Sequence, residues 1–397
     1  EAVKVAEAVF AELLKLKNLE KIAGEKGAKF IPTVEMIQDT VENELMRLDF
    51  LETAKAYILY RQKRNELREE GVVVPDDLRK LVNDSGKYFR NPLAELVYYR
   101  SYSRWIEDKD RRETWIETVD RYMDFMAENL GNKLTKSEYA EVREAILKQE
   151  AMPSMRLLQF AGVPARKTNV CAYNCSFIAP ECFQDFGEII YISMCGTGVG
   201  FSAESANVQK LPQIKMQNGK KVAKHVVADS KEGWADAFVL GMKTWFEGND
   251  IEFDFSELRP SGARLKTMGG KSSGPQPLID LIAFAKERIL KKQGRRLSNL
   301  DVHDIVCKIG ECVVSGGVRR SALISLSDLD DEMIRDAKMG AFWNTDPQRM
   351  LANNSAVYNT KPSVEEFMGE WLALIKSGSG ERGIFNKGCL PKQLPKR

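Results

Sequence analysis

The sequence predicts an α/β protein whose opening 1–150 stretch is helical. Three observations carry that prediction. Apolar residues recur at helical spacing through 1–70 and 75–150. From about residue 151, short apolar runs alternate with helical stretches. Glycine-rich turns punctuate that second region. A chain of 397 residues is expected to hold two or three domains. Apolar residues at 43%, charged residues at 29% and a mean hydropathy of −0.35 describe a globular chain, not a disordered or fibrous one.

In chain order, Ala2, Val5, Ala6, Val9, Phe10 and Leu13 share one helical face. Pro32-Thr33 opens a second helix with apolar Val34, Ile37, Val41, Leu45 and Leu48. A third runs from Leu51 through Ala54, Ile58 and Leu67, and Gly71 and Pro75 end it. Its Lys55, Arg61, Lys63, Arg64 and Arg68 read as a solvated face. The 75–150 stretch interleaves Tyr98, Tyr99, Tyr102, Trp105, Trp115, Tyr122 and Phe125 with Arg100, Arg104, Arg111 and Arg112. Such interleaving can bind single-stranded nucleic acid. Here Trp115, Val119, Tyr122 and Met126 keep helical spacing, and 59 basic against 57 acidic residues leave a charge of +2. Helix packing is therefore expected, with no nucleic-acid partner. Beyond 151, residues 175–179 and 322–326 read as strands, and 278–290 and 300–314 as helices. Chemistry in such folds gathers on loops at one end of the strands.

Residue counts exclude several chemistries. The two histidines, His225 and His303, exclude a His-rich metal site and argue against His-dependent acid–base catalysis. The seven cysteines form no CxxC pair: Cys171 and Cys175 stand close, as do Cys307 and Cys312, while Cys182, Cys195 and Cys389 are isolated. With no signal peptide recognisable and no apolar run long enough to cross a bilayer, free thiols in a cytoplasmic protein without a membrane partner are expected.

Four stretches carry candidate chemistry. Cys195-Gly196-Thr197-Gly198-Val199-Gly200-Phe201-Ser202 places glycines at alternate positions, where backbone N–H groups can approach a phosphate. It matches neither GxGxxG nor a Walker A loop, so anion cradle and structural turn both stay open. The 259–274 stretch mixes Arg259, Arg264, Lys266 and Lys271 with hydroxyls and glycines, as a nucleotide-responsive loop or a solvated one would. Ser315-Gly316-Gly317-Val318-Arg319-Arg320-Ser321-Ala322 offers two guanidinium forks to a phosphate, a base edge or helix carbonyls. Val170-Cys171-Ala172-Tyr173-Asn174-Cys175-Ser176-Phe177 sets two thiols within five residues.

Taken in order, Tyr99-Arg100-Ser101-Tyr102-Ser103-Arg104-Trp105, Pro153-Ser154-Met155-Arg156, Asn174-Cys175-Ser176-Phe177, the 196–201 glycine stretch, Arg259-Pro260-Ser261-Gly262, Gly269-Gly270-Lys271-Ser272-Ser273-Gly274, Gly317-Val318-Arg319-Arg320-Ser321-Ala322 and Asn353-Asn354-Ser355 resemble the ribonucleotide reductases. The wording is most similar to the adenosylcobalamin-dependent class II enzymes. Ala54-Lys55-Ala56-Tyr57-Ile58-Leu59-Tyr60-Arg61 resembles the back part of an ATP-cone.

The resemblance implies a partial ATP-cone over 1–72, a helical domain over 73–150 and the first part of a ten-stranded α/β barrel over 151–397. It also implies reduction of the ribose 2′-carbon by thiyl-radical chemistry that adenosylcobalamin (vitamin B12 coenzyme) initiates. By the same resemblance, Cys175 is one of the reducing cysteine pair. Ser154 and Asn174 contact the substrate, a ribonucleoside di- or triphosphate, and Gly198 and Gly200 lie in the glycine-rich loop lining its site. Asp185 lies near the effector deoxyribose. Arg264 and Lys266 fall in the first effector loop and Arg319 and Arg320 in the second, with dNTP or ATP as effectors. A thioredoxin-like reductant is the implied electron source. The family's Asn-Pro-Cys-Gly-Glu finger loop does not follow Gly383-Ile384-Phe385-Asn386 within the 397 residues, and the chain opens on Glu1 inside a predicted helix. An N-terminal part of a split or truncated enzyme is therefore expected, working with a C-terminal half or a second copy. The alternatives are a class I large subunit and a non-catalytic nucleotide-binding regulatory fragment.

Overall fold

Thr33 fixes where the second helix begins, because its hydroxyl accepts the Met36 N–H at 3.1 Å. The computed structural model describes residues 2–22, 33–69, 76–265, 267, 269–315 and 323–393. They fall into two compact units, Glu1–Asn83 and Asp84–Arg397.

In the first unit, α1 (Ala2–Ile22), α2 (Val34–Arg47) and α3 (Leu51–Glu69) close over Val5, Val9, Leu45 and Ala54. This small core leaves a cavity of 670 Å³ lined by Val5, Val9, Phe10, Val41, Leu45 and Tyr57. Phe10, on the same helical face as Val5 and Val9, stands 65% exposed. Arg61 corrects the solvated-face reading of α3: it donates to Asp39 at 2.8 Å and Glu42 at 2.6 Å, tying α3 to α2. The side chains of Lys63, Arg64 and Arg68 lie outside the described residues.

Leading into the second unit, α4 (Asp76–Gly86) and α5 (Pro92–Ser101) precede a two-residue antiparallel ladder of β1 (Trp105–Ile106) and β2 (Arg111–Arg112). Capping boxes start α6 (Trp115–Leu130) at Thr114 and α7 (Lys136–Leu147) at Thr135. The aromatic residues here do pack: Tyr98 meets Trp115 edge-on at 5.5 Å, within a core that includes Val119 and Leu147. Short helices α8 (Met155–Phe160) and α9 (Val163–Lys167) follow.

The remaining elements are β3 (Cys175–Ile178), α10 (Phe183–Met194), β4 (Gly198–Ser202), α11 (Ser205–Val208), β5 (His225–Val226), α12 (Lys231–Phe246), β6 (Phe253–Asp254), α13 (Gln276–Leu290), α14 (Asn299–Ser315), β7 (Leu323–Asp328), α15 (Glu332–Arg335), β8 (Ala352–Tyr358), α16 (Val364–Ser377) and β9 (Gly383–Asn386). One sheet runs β3-β4-β7-β8-β9, parallel throughout, as the opening strands of an α/β barrel do. The inserted elements between β4 and β7 include the short β5–β6 ladder. Helices α10 and α14 pack on the sheet and α12 and α13 pack on them, together burying Phe186, Phe201, Phe238, Trp245, Leu281 and Ile305. Among the described residues, no helix is long and apolar enough to cross a membrane.

Candidate active site

The β3–β4 register builds the site. Cys175 pairs with Gly198, and Phe177 with Gly200. The Cys175 thiol is exposed at the start of β3, and Asn174 Nδ2 donates to its Sγ at 3.5 Å. The preceding turn is pinned from below. Thr197 Oγ1 donates to the carbonyls of Val170 and Tyr173, each at 2.9 Å, and Gly198 N–H donates to Asn174 O at 3.0 Å.

Glycine is required twice here. Gly196 has φ 81°, and a Cβ on it would stand 2.9 Å from Arg156 Nη2. A Cβ on Gly200 would meet Ile324 Cγ2 at 2.8 Å and Phe177 at 3.2 Å. Both Gly198 and Gly200 are strand residues, which corrects the expectation that they belong to a loop. The turn itself is centred on Gly196. Ser154 is exposed and caps α8, accepting Leu157 N–H at 3.4 Å. Arg156, buried on α8, donates to Cys195 O at 3.1 Å and so joins this short helix to the glycine turn. The structure thus gathers Asn174, Cys175, Gly198 and Gly200 at one sheet end and links the Ser154 helix to the same turn.

Of the residues expected to bind an effector, Asp185 and Arg264 are described. Asp185 accepts N–H groups from Glu181 at 2.7 Å and Cys182 at 2.9 Å, closing a capping box on α10. Arg264 lies on a hairpin whose rungs include Gly262 N–H to Ser272 O at 2.8 Å and Leu265 N–H to Gly270 O at 2.9 Å. Lys266, Arg319 and Arg320 lie outside the described residues. Beneath the hairpin is a cavity of 120 Å³ lined by Lys231, Arg259, Leu265, Ser272, Ser273 and Cys312. Burial pushes the Cys312 thiol up to about 12, so this lining thiol stays protonated.

Several contacts have no local sequence signal. Lys231 Nζ donates to the buried Cys195 Sγ at 3.3 Å. Burial pushes the neighbouring Cys171 thiol up. The helices outside the sheet carry a polar node. His303 Nε2 meets Asn354 Oδ1 at 3.0 Å, and its Nδ1 meets Asp304 at 3.3 Å. Arg349 donates to both Asp304 oxygens at 2.7 and 2.8 Å. Both ring nitrogens of His303 are thus engaged in the fold.

Three family models match in chain order. An ATP cone domain matches residues 4–66, a ribonucleotide reductase alpha domain 76–161, and a B12-dependent ribonucleotide reductase insertion domain 199–289. In this order of matches the chain resembles the B12-dependent ribonucleotide reductases. A similar curated protein is the adenosylcobalamin-dependent ribonucleoside-triphosphate reductase of Euglena gracilis, 30% identical over 68% of this chain and 39% of its own length. Another, from Lactobacillus leichmannii, is 27% identical over 74% of this chain and 48% of its own. The solved structure of a B12-dependent class II ribonucleotide reductase superposes with a TM-score of 0.58 at 22% identity, over 70% of this chain and 48% of that one. That likeness concerns the fold. The chain spans about half the length of the reductases it matches. The insertion-domain match begins inside β4 and ends within α13, and so takes in α11, β5, α12, β6 and most of α13, while α14 lies beyond it. The sequence reading drew no boundary there.

Proposed function

We propose that this chain is the nucleotide-recognising N-terminal portion of an adenosylcobalamin-dependent ribonucleotide reductase, with Cys175 as one of its two reducing thiols. The observation that carries the reading is the exposed Cys175 thiol beside Asn174, in register with Gly198. Reduction removes the ribose 2′-hydroxyl as water. Two thiols supply the two hydrogens and two electrons and become a disulfide. Cys175 is one of them, and the second comes from a C-terminal portion of the enzyme or a second copy. A thioredoxin-like dithiol then restores the pair, in the cytoplasm.

In this reading Asn174 and Ser154, both exposed, take polar groups of the substrate, a ribonucleoside di- or triphosphate. The 259–274 hairpin, with Arg264 and Lys266, takes dNTP or ATP effectors together with Arg319, Arg320 and Asp185. Adenosylcobalamin supplies the starting radical in this scheme by homolysis of its cobalt–carbon bond. Among the described residues neither cavity described above fits it, one being lined by apolar side chains of the three-helix unit and the other, at 120 Å³, smaller than a corrin ring. The insertion-domain match favours this class over a class I large subunit.

The test is an assay of ribonucleotide reduction with adenosylcobalamin, with and without a polypeptide carrying the C-terminal portion of a relative. Turnover that needs both pieces supports the reading. Effector binding with no turnover under any combination supports the regulatory-fragment alternative instead.

A further inference from the structure

We infer that Trp105 is a positioning residue for Arg264, holding its guanidinium flat so that the in-plane donors stay open for the phosphates of an effector nucleotide. The inference rests on the effector-loop reading above. The guanidinium carbon of Arg264 lies 3.9 Å from the Trp105 ring centroid. Such a stack uses the face of the guanidinium and leaves its N–H groups, which point outward in the plane, unspent. Among the described residues Arg264 donates no side-chain hydrogen bond. A carboxylate oxygen of Glu107 sits 4.0 Å away, an ion pair without hydrogen-bond contact. The Arg264 side chain is 48% exposed, so an anion can reach it.

The surroundings hold the same hairpin in place. Arg104 Nη2 donates to Thr267 O at 2.5 Å, and Lys167 Nζ donates to Thr267 Oγ1 at 3.2 Å. Trp105 is itself fixed by its ladder pairing with Arg112. The 104–107 segment therefore grips the hairpin at two places, a backbone carbonyl and a guanidinium face. An arginine already ordered on a ring loses less freedom when it binds a phosphate, which favours binding. Glu107, by contrast, competes with that phosphate for the same cation.

These two effects have opposite signs and can be separated. The full 397-residue chain is titrated calorimetrically with dGTP and dTTP. Adenine nucleotides are left out because the ATP cone domain matches residues 4–66. Replacement Trp105→Leu should weaken binding about three- to five-fold, the size of one cation–π contact, while Trp105→Phe stays within about two-fold. Glu107→Gln should tighten binding about two-fold. Unchanged affinity in both Trp105→Leu and Glu107→Gln overturns the inference. Weakening by Glu107→Gln as well as Trp105→Leu also overturns it, since the segment would then serve only to fold the hairpin. If the unmodified chain binds neither nucleotide, the effector-loop reading itself fails and takes the inference with it.

Discussion

Gly196 turns the chain from α10 into β4 at a φ of 81°, with Arg156 filling the space a side chain would need. Gly196→Ala is expected to destabilise the protein by about 1–3 kcal/mol, read as a lower urea midpoint with an unchanged slope. Cys175→Ser tests chemistry instead of backbone shape. It should abolish multi-turnover reduction by the reconstituted enzyme while dGTP affinity stays within about two-fold, because the thiol is exposed and does not support the core. Sustained turnover by that variant would remove Cys175 from the reducing pair. At this scale the local words were readable. Asn174, Cys175 and Gly198 lie in short runs whose order carried the family resemblance. The partners of Arg264 and Cys195 were not readable. Trp105 and Lys231 reach them across long stretches of chain, and no spacing rule links such pairs.

Between elements, the Asp304 node joins α14 to the segment before β8, and Asn354 joins it to β8 itself. Burial pushes the Asp304 carboxyl up, but hydrogen bonds from Arg349 and His303 outweigh that and hold it down at about 2. The folded value therefore lies below the ordinary carboxylate value of 3.8. The stability it contributes is fully present above about pH 4 and is lost as pH falls through about 2. Asp304→Asn should cost about 3–5 kcal/mol near neutral pH, because Arg349 and Arg288 then lose a buried counter-charge. Denaturant melts at pH 7 and pH 2.5 should show that gap narrowing in acid. The helices and strands themselves were largely legible. The run at 322–326 became β7 at Leu323–Asp328, and 300–314 became α14 at Asn299–Ser315. Apolar periodicity and glycine punctuation are local signals. The short β1–β2 and β5–β6 ladders went unseen, because two residues are too few to show a period of two.

Across the whole molecule, the two units carry separate cores and should fail separately. Leu45, 5% exposed, is a main filler of the three-helix core. Leu45→Ala is expected to remove about 2–5 kcal/mol from the first unit, a large fraction of what so small a core supplies. Calorimetry should show an early transition lost or shifted down, with dGTP and dTTP binding by the second unit unaltered. Reconstitution is the matching experiment for the second unit. The helical opening stretch was legible because apolar periodicity is a local signal. The inserted elements between β4 and β7 were not, since helices and turns inside an insertion look like those of the host.

The sheet has two rims. Among the described residues β3 and β9 are each bonded on one side alone, so both margins present bare amide and carbonyl groups. Such margins template further strands. In isolation the protein should therefore self-associate as concentration rises, with light scattering growing accordingly. A polypeptide that supplies matching strands should clear the solution, and clarity should return in the same titration that restores turnover.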